Sequence, residues 1–294
     1  MPSYIALVKK KMSKYAKRRA SNVLTGNYGS VVKGRSMEFD DLRVYQYGDD
    51  VKDMDWKASA RSRTPMVRRY VAIRKHNIMI VADAGRNMAA LAPSGEAKYE
   101  IATFAAAVIS YIAEKNGDLI GITFGNNSGK TRLPLKDNKN HIENLLKKYE
   151  KSISTSADLT DMNALLNYVT KCFKERMFLF IITDVHGVMQ VSEDVLRRLR
   201  VRHEQMVIMI DDAPFSSPKL ARKETLDVTK NAVLPHYLRK SRRIRRAEEK
   251  LREDNLNKVT HELGRLGITS CRLVNTDKAI PEIFKMLEAK KHVR

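Results

Sequence analysis

Residues His76–Met88 read HNIMIVADAGRNM. They contain a strand candidate, His76–Asp83, which is apolar through its centre and ends in a carboxylate. A strand that is apolar on both faces is typical of a parallel sheet covered by helices on both sides. In open α/β sheets, binding sites lie beyond the carboxyl ends of the strands. The stretch therefore predicts an α/β fold with a binding site beyond the carboxyl end of this strand.

The chain from residue 75 onward alternates strand and helix patterns. Helix candidates, of which Glu96–Lys115 is the most apolar, separate the strand candidates, and Gly117 is positioned to end that helix. The alternation predicts an α/β domain over 75–294, with a doubly wound, mostly parallel sheet. The further strand candidates are Asp118–Phe124, Thr131–Leu135, Met177–Thr183, Gln205–Ile210 and Ser270–Val274.

Residues 1–74 have a different pattern and are predicted to form an accessory subdomain. A basic amphipathic helix over residues 3–20 comes first, and short strand candidates follow at Val44–Tyr47 and Met66–Ile73. Acidic residues are dense between Asp49 and Asp55, and we expect local turns and salt bridges with Arg43, Lys57 and Arg61. Trp56, the single tryptophan, is expected to be a packing anchor for this subdomain.

Composition indicates a soluble globular protein. The 294 residues are 43% hydrophobic and 30% charged, and the apolar runs are too short to span a bilayer. Residues 1–19 lack the features of a secretory signal. Cys172 and Cys271 lie in apolar patterns and are expected to be reduced thiols. We therefore predict a cytoplasmic protein.

The chain has a formal net charge of +21, and its basic residues are clustered. Such clusters attract nucleic acid or an anionic membrane surface, although a solvated basic face is an equally simple interpretation. The candidate anion-binding residues are Lys9, Lys10, Lys11, Arg18, Arg19, Arg242, Arg243, Arg245 and Arg246.

Catalytic motifs are absent from the sequence, which contains no H-E-x-x-H, C-x-x-C or G-x-S-x-G pattern. The segment Gly125–Thr131 resembles a nucleotide phosphate loop but is one residue too short. Pro134 lies where the phosphate-binding helix would form, so a polar hairpin turn is the better interpretation. We predict that the protein is not an enzyme.

Carboxylates follow several predicted strands. Asp83 ends one strand, Asp184 ends another, and Asp211 and Asp212 follow a third. In a doubly wound sheet they would meet at one edge, where carboxylate oxygens suit a hard cation such as Mg²⁺. They could equally cap helices and bind loop amides. Sequence alone leaves both interpretations open.

The block Gly34–Arg61, GRSMEFDDLRVYQYGDDVKDMDWKASAR, resembles the signature of the bacterial family called domain of unknown function 58. The resemblance continues through IMIVADAGRNM, ADLTDMNALLNYV, LFIITDVHG and GITSCRLVNTD. Members of this family are similar to von Willebrand factor A domains and are commonly encoded beside MoxR-type AAA+ ATPases. The resemblance implies an A-type sheet with one short antiparallel edge strand, and a protein-interaction module that works with such an ATPase.

The resemblance also implies a degenerate metal-ion-dependent adhesion site. Intact sites hold a divalent cation, Mg²⁺ or Mn²⁺, with an Asp-x-Ser-x-Ser loop, a threonine and a later aspartate. Here Gly85 and Asn87 replace the two serines. The possible metal ligands are Asp83, Asn87, Asp184, Thr155 and Ser156. The expected partner-binding edge comprises Asp83, Arg86, Asn87, Asp158, Asp184, Asp211 and Asp212.

Overall fold

The computed structural model describes residues 3–15, 36–73, 75–214, 226–228, 232–233 and 241–292. These residues form two compact units. The smaller unit lies within 26–76, and the larger unit comprises the N-terminal helix and the chain from Asn77 onward.

The larger unit contains a central sheet whose strands run mostly parallel. Within the described residues, six strands are ordered β10-β7-β6-β3-β4-β5, and β5 is the antiparallel edge strand. All seven residues of β6 are buried, which requires cover on both faces. The predicted fold class is confirmed. The strands are β3 (Asn77–Asp83), β4 (Leu119–Asn126), β5 (Gly129–Lys136), β6 (Phe178–Asp184), β7 (Glu204–Ile210) and β10 (Thr269–Leu273).

Helices cover both faces of this sheet. Side chains from α5, α7 and α8 pack with alternate residues of β3, β6 and β7 in one hydrophobic core. On the other face, α3 contacts four strands and also packs against α1, α4 and α9. The helices are α1 (Tyr4–Tyr15), α3 (Lys98–Asn116), α4 (Lys139–Ser152), α5 (Met162–Cys172), α6 (Val185–Met189), α7 (Glu193–Arg202), α8 (Arg242–Arg265) and α9 (Thr276–His292). A separate two-stranded pair joins β8 (Leu226–Asp227) and β9 (Ala232–Val233).

Two local features agree with the sequence analysis. Gly117 ends α3 in the left-handed conformation, with φ of 70°, which favours glycine. Residues 125–131 comprise the end of β4, a two-residue turn and the start of β5, and the Asn126 side chain accepts hydrogen bonds from the backbone N–H groups of Ser128 and Gly129. The segment that resembles a phosphate loop is therefore a hairpin turn.

The N-terminal helix α1 packs on the larger unit, whereas the sequence analysis grouped it with the accessory subdomain. Val8 and Met12, one helical turn apart, are buried, and α1 packs against α3. The Glu143 carboxylate on α4 accepts hydrogen bonds from the backbone N–H groups of Tyr4 and Ile5. Lys11 forms an ion pair with Asp277 on α9 at 2.9 Å. The buried stripe and these long-range contacts explain the difference.

The smaller unit consists of an antiparallel strand pair and a short helix. Strands β1 (Ser36–Val44) and β2 (Met66–Ile73) pair with each other. Between them lie a 3-10 turn, Val51–Asp53, and helix α2 (Trp56–Ser62). The Asp55 carboxylate caps α2 by accepting from the backbone N–H groups of Lys57 and Ala58.

The acidic residues of this unit do form local turns and salt bridges. Arg43 pairs with Asp49 as expected, but Asp55 pairs with Arg68 rather than with a lysine or arginine of α2. The expectation for Trp56 is wrong, since its side chain is 67% exposed. It is the first residue of a short helix that has no buried residue in the described structure.

Candidate functional site

The carboxyl ends of β3 and β6 hold a buried cluster of polar side chains. These strands are parallel neighbours, so Asp83 and Asp184 lie side by side. Their exposed fractions are 1% and 2%. The side-chain amide of Asn87 donates to Oδ2 of Asp83 at 2.9 Å and to Oδ2 of Asp184 at 2.8 Å. The structure thus brings together three of the residues singled out in the sequence.

Further hydrogen bonds fix both carboxylates. Asp83 accepts from the backbone N–H of Gly85 at 2.9 Å and from the hydroxyl of Thr183 at 2.9 Å. Asp184 caps α6 by accepting from the backbone N–H of Gly187 at 2.7 Å. Burial and the neighbouring charge of Asp184 raise the pKa of Asp83 above its ordinary value.

Lys98 supplies the positive charge of the cluster. This side chain lies at the start of α3 and is 1% exposed. Its Nζ donates to Oδ2 of Asp184 at 2.8 Å and also to the carboxylate of Asp212, which follows β7. The ammonium therefore joins groups at the ends of two neighbouring strands.

The electrostatics of this ion pair favour the charged forms. Burial alone would lower the pKa of Lys98, but the carboxylates of Asp184 and Asp212 raise it above its ordinary value. Burial alone would raise the pKa of Asp184, but Lys98 lowers it. Burial raises the pKa of Asp212 despite its contact with Lys98. We conclude that Lys98 and Asp184 form a buried, charged pair.

Lys98 was not among the predicted site residues, although the sequence contains a signal for it. Lys98 lies three positions before Ile101 and seven before Ala105, and both of these residues are fully buried. It therefore belongs to the buried face of α3. A lysine at such a position requires a carboxylate partner, which the strand-end aspartates could have supplied.

The two hydroxyl residues proposed as metal ligands lie outside the cluster. Thr155 and Ser156 are exposed, and the Ser156 hydroxyl bonds to that of Ser154 at 2.8 Å. Thr160, which the sequence analysis did not single out, is buried beside Gly85. Its hydroxyl donates to the carbonyl of Gly125 at 3.0 Å.

The remaining predicted residues of the edge are spread around the cluster. Arg86 is half-buried, and its backbone N–H donates to the carbonyl of Asp158, whose side chain is exposed. Asp211 is buried and pairs with Arg272 on β10 and with Arg252 on α8. Asp212 is the most accessible carboxylate of the cluster, because its side chain is 36% exposed.

The residues present do not fit a divalent cation. Both carboxylates are already bound by N–H and O–H donors, and Asn87 presents its amide hydrogens to them. A Cβ at Gly85 would lie 2.5 Å from Oδ1 of Asn87 and 2.7 Å from the backbone nitrogen of Thr160. A serine hydroxyl therefore has no room at this position. In the part of the chain that the structure describes, no group of three His, Cys, Asp or Glu side chains is arranged to hold a metal ion.

Sequence comparison assigns the chain to a family. A family model described as "Protein of unknown function DUF58" matches residues 41–257. The chain belongs to this family. Uncharacterized proteins of Mycobacterium bovis and Mycobacterium tuberculosis are 28% identical to it over 200 residues. The matched region makes up 67% of this DUF58 chain and 62% of each relative, so the chain spans less than two thirds of their length.

Solved structures similar to this DUF58 protein include A-type domains. The conserved hypothetical protein BatB from Bacteroides thetaiotaomicron aligns with a TM-score of 0.48 at 16% identity, covering 74% of this chain and 99% of BatB. A von Willebrand factor type A protein from Catenulispora acidiphila aligns with a TM-score of 0.42 at 10% identity, covering 76% of this chain and 44% of that one.

None of the helices in the described ranges combines the length and apolar character needed to cross a bilayer.

Proposed function

We propose that this DUF58 protein is a non-catalytic protein-interaction module, and that its partner docks on the surface above the buried cluster. We call this surface the carboxyl rim and define it by Leu91, Asp158, His186, Met189 and Asp212. The observation that supports it is the position of Lys98 on α3, whose ammonium pairs with Asp184 at the end of β6 and with Asp212 after β7. A charged pair held in this way fixes the loops above it, and a fixed surface loses little entropy when it binds.

The carboxyl rim has the composition of a small docking surface. Leu91 and Met189 are apolar and are 39% and 43% exposed. Asp158 and His186 are exposed, and Asp212 is partly exposed. A mixture of exposed apolar and charged residues is typical of non-obligate protein interfaces. Beside the rim, a cavity of about 270 Å³ lies between the β4–β5 turn and the start of α5.

The partner that we propose is a MoxR-type AAA+ ATPase, with the assembly or remodelling of another protein complex as the joint task. This part of the proposal rests on the family resemblance. The rim would then hold the other protein complex for the ATPase, or recruit the ATPase to that complex. It would not catalyse a reaction itself.

A binding experiment with two matched variants tests the docking surface. Met189→Asp places a charge on the carboxyl rim, and Val201→Asp places the same charge at the opposite end of the sheet, where Val201 is 85% exposed. We expect Met189→Asp to weaken capture of a MoxR-type ATPase by about tenfold or more, as loss of an interface residue does. Val201→Asp should bind like the wild type.

Thermal unfolding of both variants serves as the folding control. Equal capture by the two variants, with both folded, would place the contact elsewhere. Failure of the wild type to capture the ATPase would contradict the choice of partner, and the variant pair could then be applied to proteins captured from the native host.

A second candidate function is the binding of nucleic acid or an anionic membrane surface. The observation that favours it is the exposure of Arg242, Arg243 and Arg246 at the start of α8. The first turn of α8 carries Arg242, Arg243 and the half-buried Arg245, which oppose the helix dipole, so they are not placed there for helix stability. Among the other candidates, Lys9 and Lys10 are exposed, whereas Lys11 is paired with Asp277. Arg18 and Arg19 lie outside the described residues.

A further inference from the structure

Lys98 occupies an unusual position for a lysine. Its ammonium reaches the strand ends from inside the protein, along α3, and its side chain is 1% exposed. The Asp184 side chain that it contacts is 3% exposed. Most lysines keep the ammonium in water because burial of an unpaired charge costs several kcal/mol or more. This one is held where carboxylates from two strands converge.

The Lys98 ammonium supplies positive charge to the cluster by direct contact with Asp184 and Asp212. Asp83 and Asp184 are linked through a single nitrogen of Asn87, so their carboxylates are close neighbours. Among the described residues, the Thr183 hydroxyl and the backbone N–H groups of Gly85 and Gly187 also donate to these two carboxylates, and these donors are neutral. Like charges repel strongly at low local dielectric. Without Lys98, the cluster would hold adjacent carboxylates with no buried counter-charge at Asp184.

We propose that Lys98 is the permanent cation of this sheet edge, taking the place of the divalent ion that the family resemblance implies. The edge is then complete without metal, and its geometry is independent of the supply of Mg²⁺ or Mn²⁺. Exchange of Lys98 for a neutral side chain of similar length leaves Asp184 and Asp212 without their common donor. The resulting anionic cavity is expected to take up a divalent cation.

The geometry of Gly85 supports the same assignment. A side chain at this position would collide with Asn87 and with the backbone of Thr160. The loop after β3 is therefore closed around the amide of Asn87 rather than opened around an ion. The absence of a serine ligand at position 85 and the buried ammonium of Lys98 are therefore parts of one arrangement. This assignment does not depend on the docking surface proposed above.

Thermal unfolding and calorimetric metal titration test this assignment. The wild type, Lys98→Met and Lys115→Met are compared in EDTA and in millimolar MgCl₂ or MnCl₂. Lys115 lies on the same helix and is exposed, so it controls for loss of a lysine from α3. The wild type and Lys115→Met should unfold at the same temperature with and without metal.

Lys98→Met is expected to behave differently. Its Tm in EDTA should be lower by about 10 °C, because one buried carboxylate has lost its partner. Mn²⁺ should restore part of this loss and should bind with a stoichiometry near one. The proposal is overturned if the wild type binds Mn²⁺ at this edge, shown by loss of binding in Asp184→Asn. It is also overturned if Lys98→Met is as stable as the wild type in EDTA, or gains no stability from either metal.

A double variant covers the case in which Lys98→Met does not fold. Lys98→Met/Asp184→Asn removes both charges of the pair and should fold, since neutralising both partners avoids an unpaired buried charge. It should also show no response to metal. If the two residues are paired, Lys98→Met should lower the Tm less in the Asp184→Asn background than in the wild type. An equal loss of Tm in both backgrounds would contradict the pairing.

Discussion

Gly85 shows how a single residue excludes a ligand geometry. The Cβ of any other residue would approach Oδ1 of Asn87 to 2.5 Å and the hydroxyl oxygen of Thr160 to 2.8 Å. The backbone φ of Gly85 is −76°, which any residue can adopt. Close packing, rather than backbone strain, therefore requires glycine here.

Gly85→Ser restores a serine at the position where the adhesion-site loop has one, and we expect it to be harmful. Overpacking of this kind costs about 1–3 kcal/mol of folding stability. Urea unfolding measures the loss, with Gly129→Ser as the matched control, because a Cβ at Gly129 meets nothing within 4 Å. A stable Gly85→Ser variant that gains Mg²⁺ binding would show that the loop can open.

Burial of individual residues was the least predictable property from sequence. The strand-end position of Asp83 and Asp184 followed from apolar runs that end in a carboxylate, and the two residues do lie together. Trp56 and Lys98 have the opposite burial from that expected of their residue types. The helical spacing of Lys98 with Ile101 and Ala105 signalled its burial, whereas no local pattern marked Trp56 as exposed. Thr160 had no signal that set it apart from Thr155.

At the scale of elements, α1 is held by contacts at both of its ends. Glu143 of α4 accepts from the Ser3 hydroxyl and from the backbone N–H of Ile5 at 2.9 Å. Glu143 of α4 therefore caps the N-terminus of α1. Near the other end, the Nζ of Lys11 lies 5.0 Å from the centre of the Phe104 ring.

Glu143→Ala should loosen α1 without unfolding the sheet. Loss of an N-terminal cap costs about 0.5–2 kcal/mol, and Glu143→Gln should cost less because its carbonyl oxygen can still accept a hydrogen bond. Hydrogen exchange measures the effect as faster exchange of the α1 amides. Glu282→Ala, on the partly exposed side of α9, is the control. Unchanged exchange in Glu143→Ala would mean that packing of Val8 and Met12 alone holds the helix.

Element positions were predictable because the strands of a doubly covered sheet are continuous apolar runs. The predicted strand Met177–Thr183 and the observed β6, Phe178–Asp184, differ by one residue at each end. The assignment of α1 to a unit was not predictable in the same way. Its apolar stripe indicates that one face is buried but does not identify the surface that buries it.

At the scale of the whole molecule, the net charge of +21 bears on the second candidate function, which salt dependence of binding can test. Phosphate binding would make log affinity for DNA or anionic vesicles fall linearly with log salt, by about 0.9 per phosphate contact for duplex DNA. Replacing Arg242, Arg243 and Arg246 with glutamine would then reduce that slope by up to about 3. The matched control replaces the exposed Arg197, Arg198 and Arg202 of α7.

Equal slopes in the two triple variants would show that the start of α8 is not a specific contact. Absence of retention at low salt, on DNA and on vesicles alike, would remove this candidate function. The rim proposal would be unaffected, since Met189 and the arginines at the start of α8 are changed in separate variants.

The ribosome makes α1 before every element that α1 packs against. Ser3 and Glu143 are 140 positions apart, and Lys11 and Asp277 are 266 apart. During synthesis the apolar stripe of α1 must therefore stay uncovered until α3 and α4 have emerged. Its ion pair with α9 forms later still. We therefore expect docking of this helix to be a late step of folding.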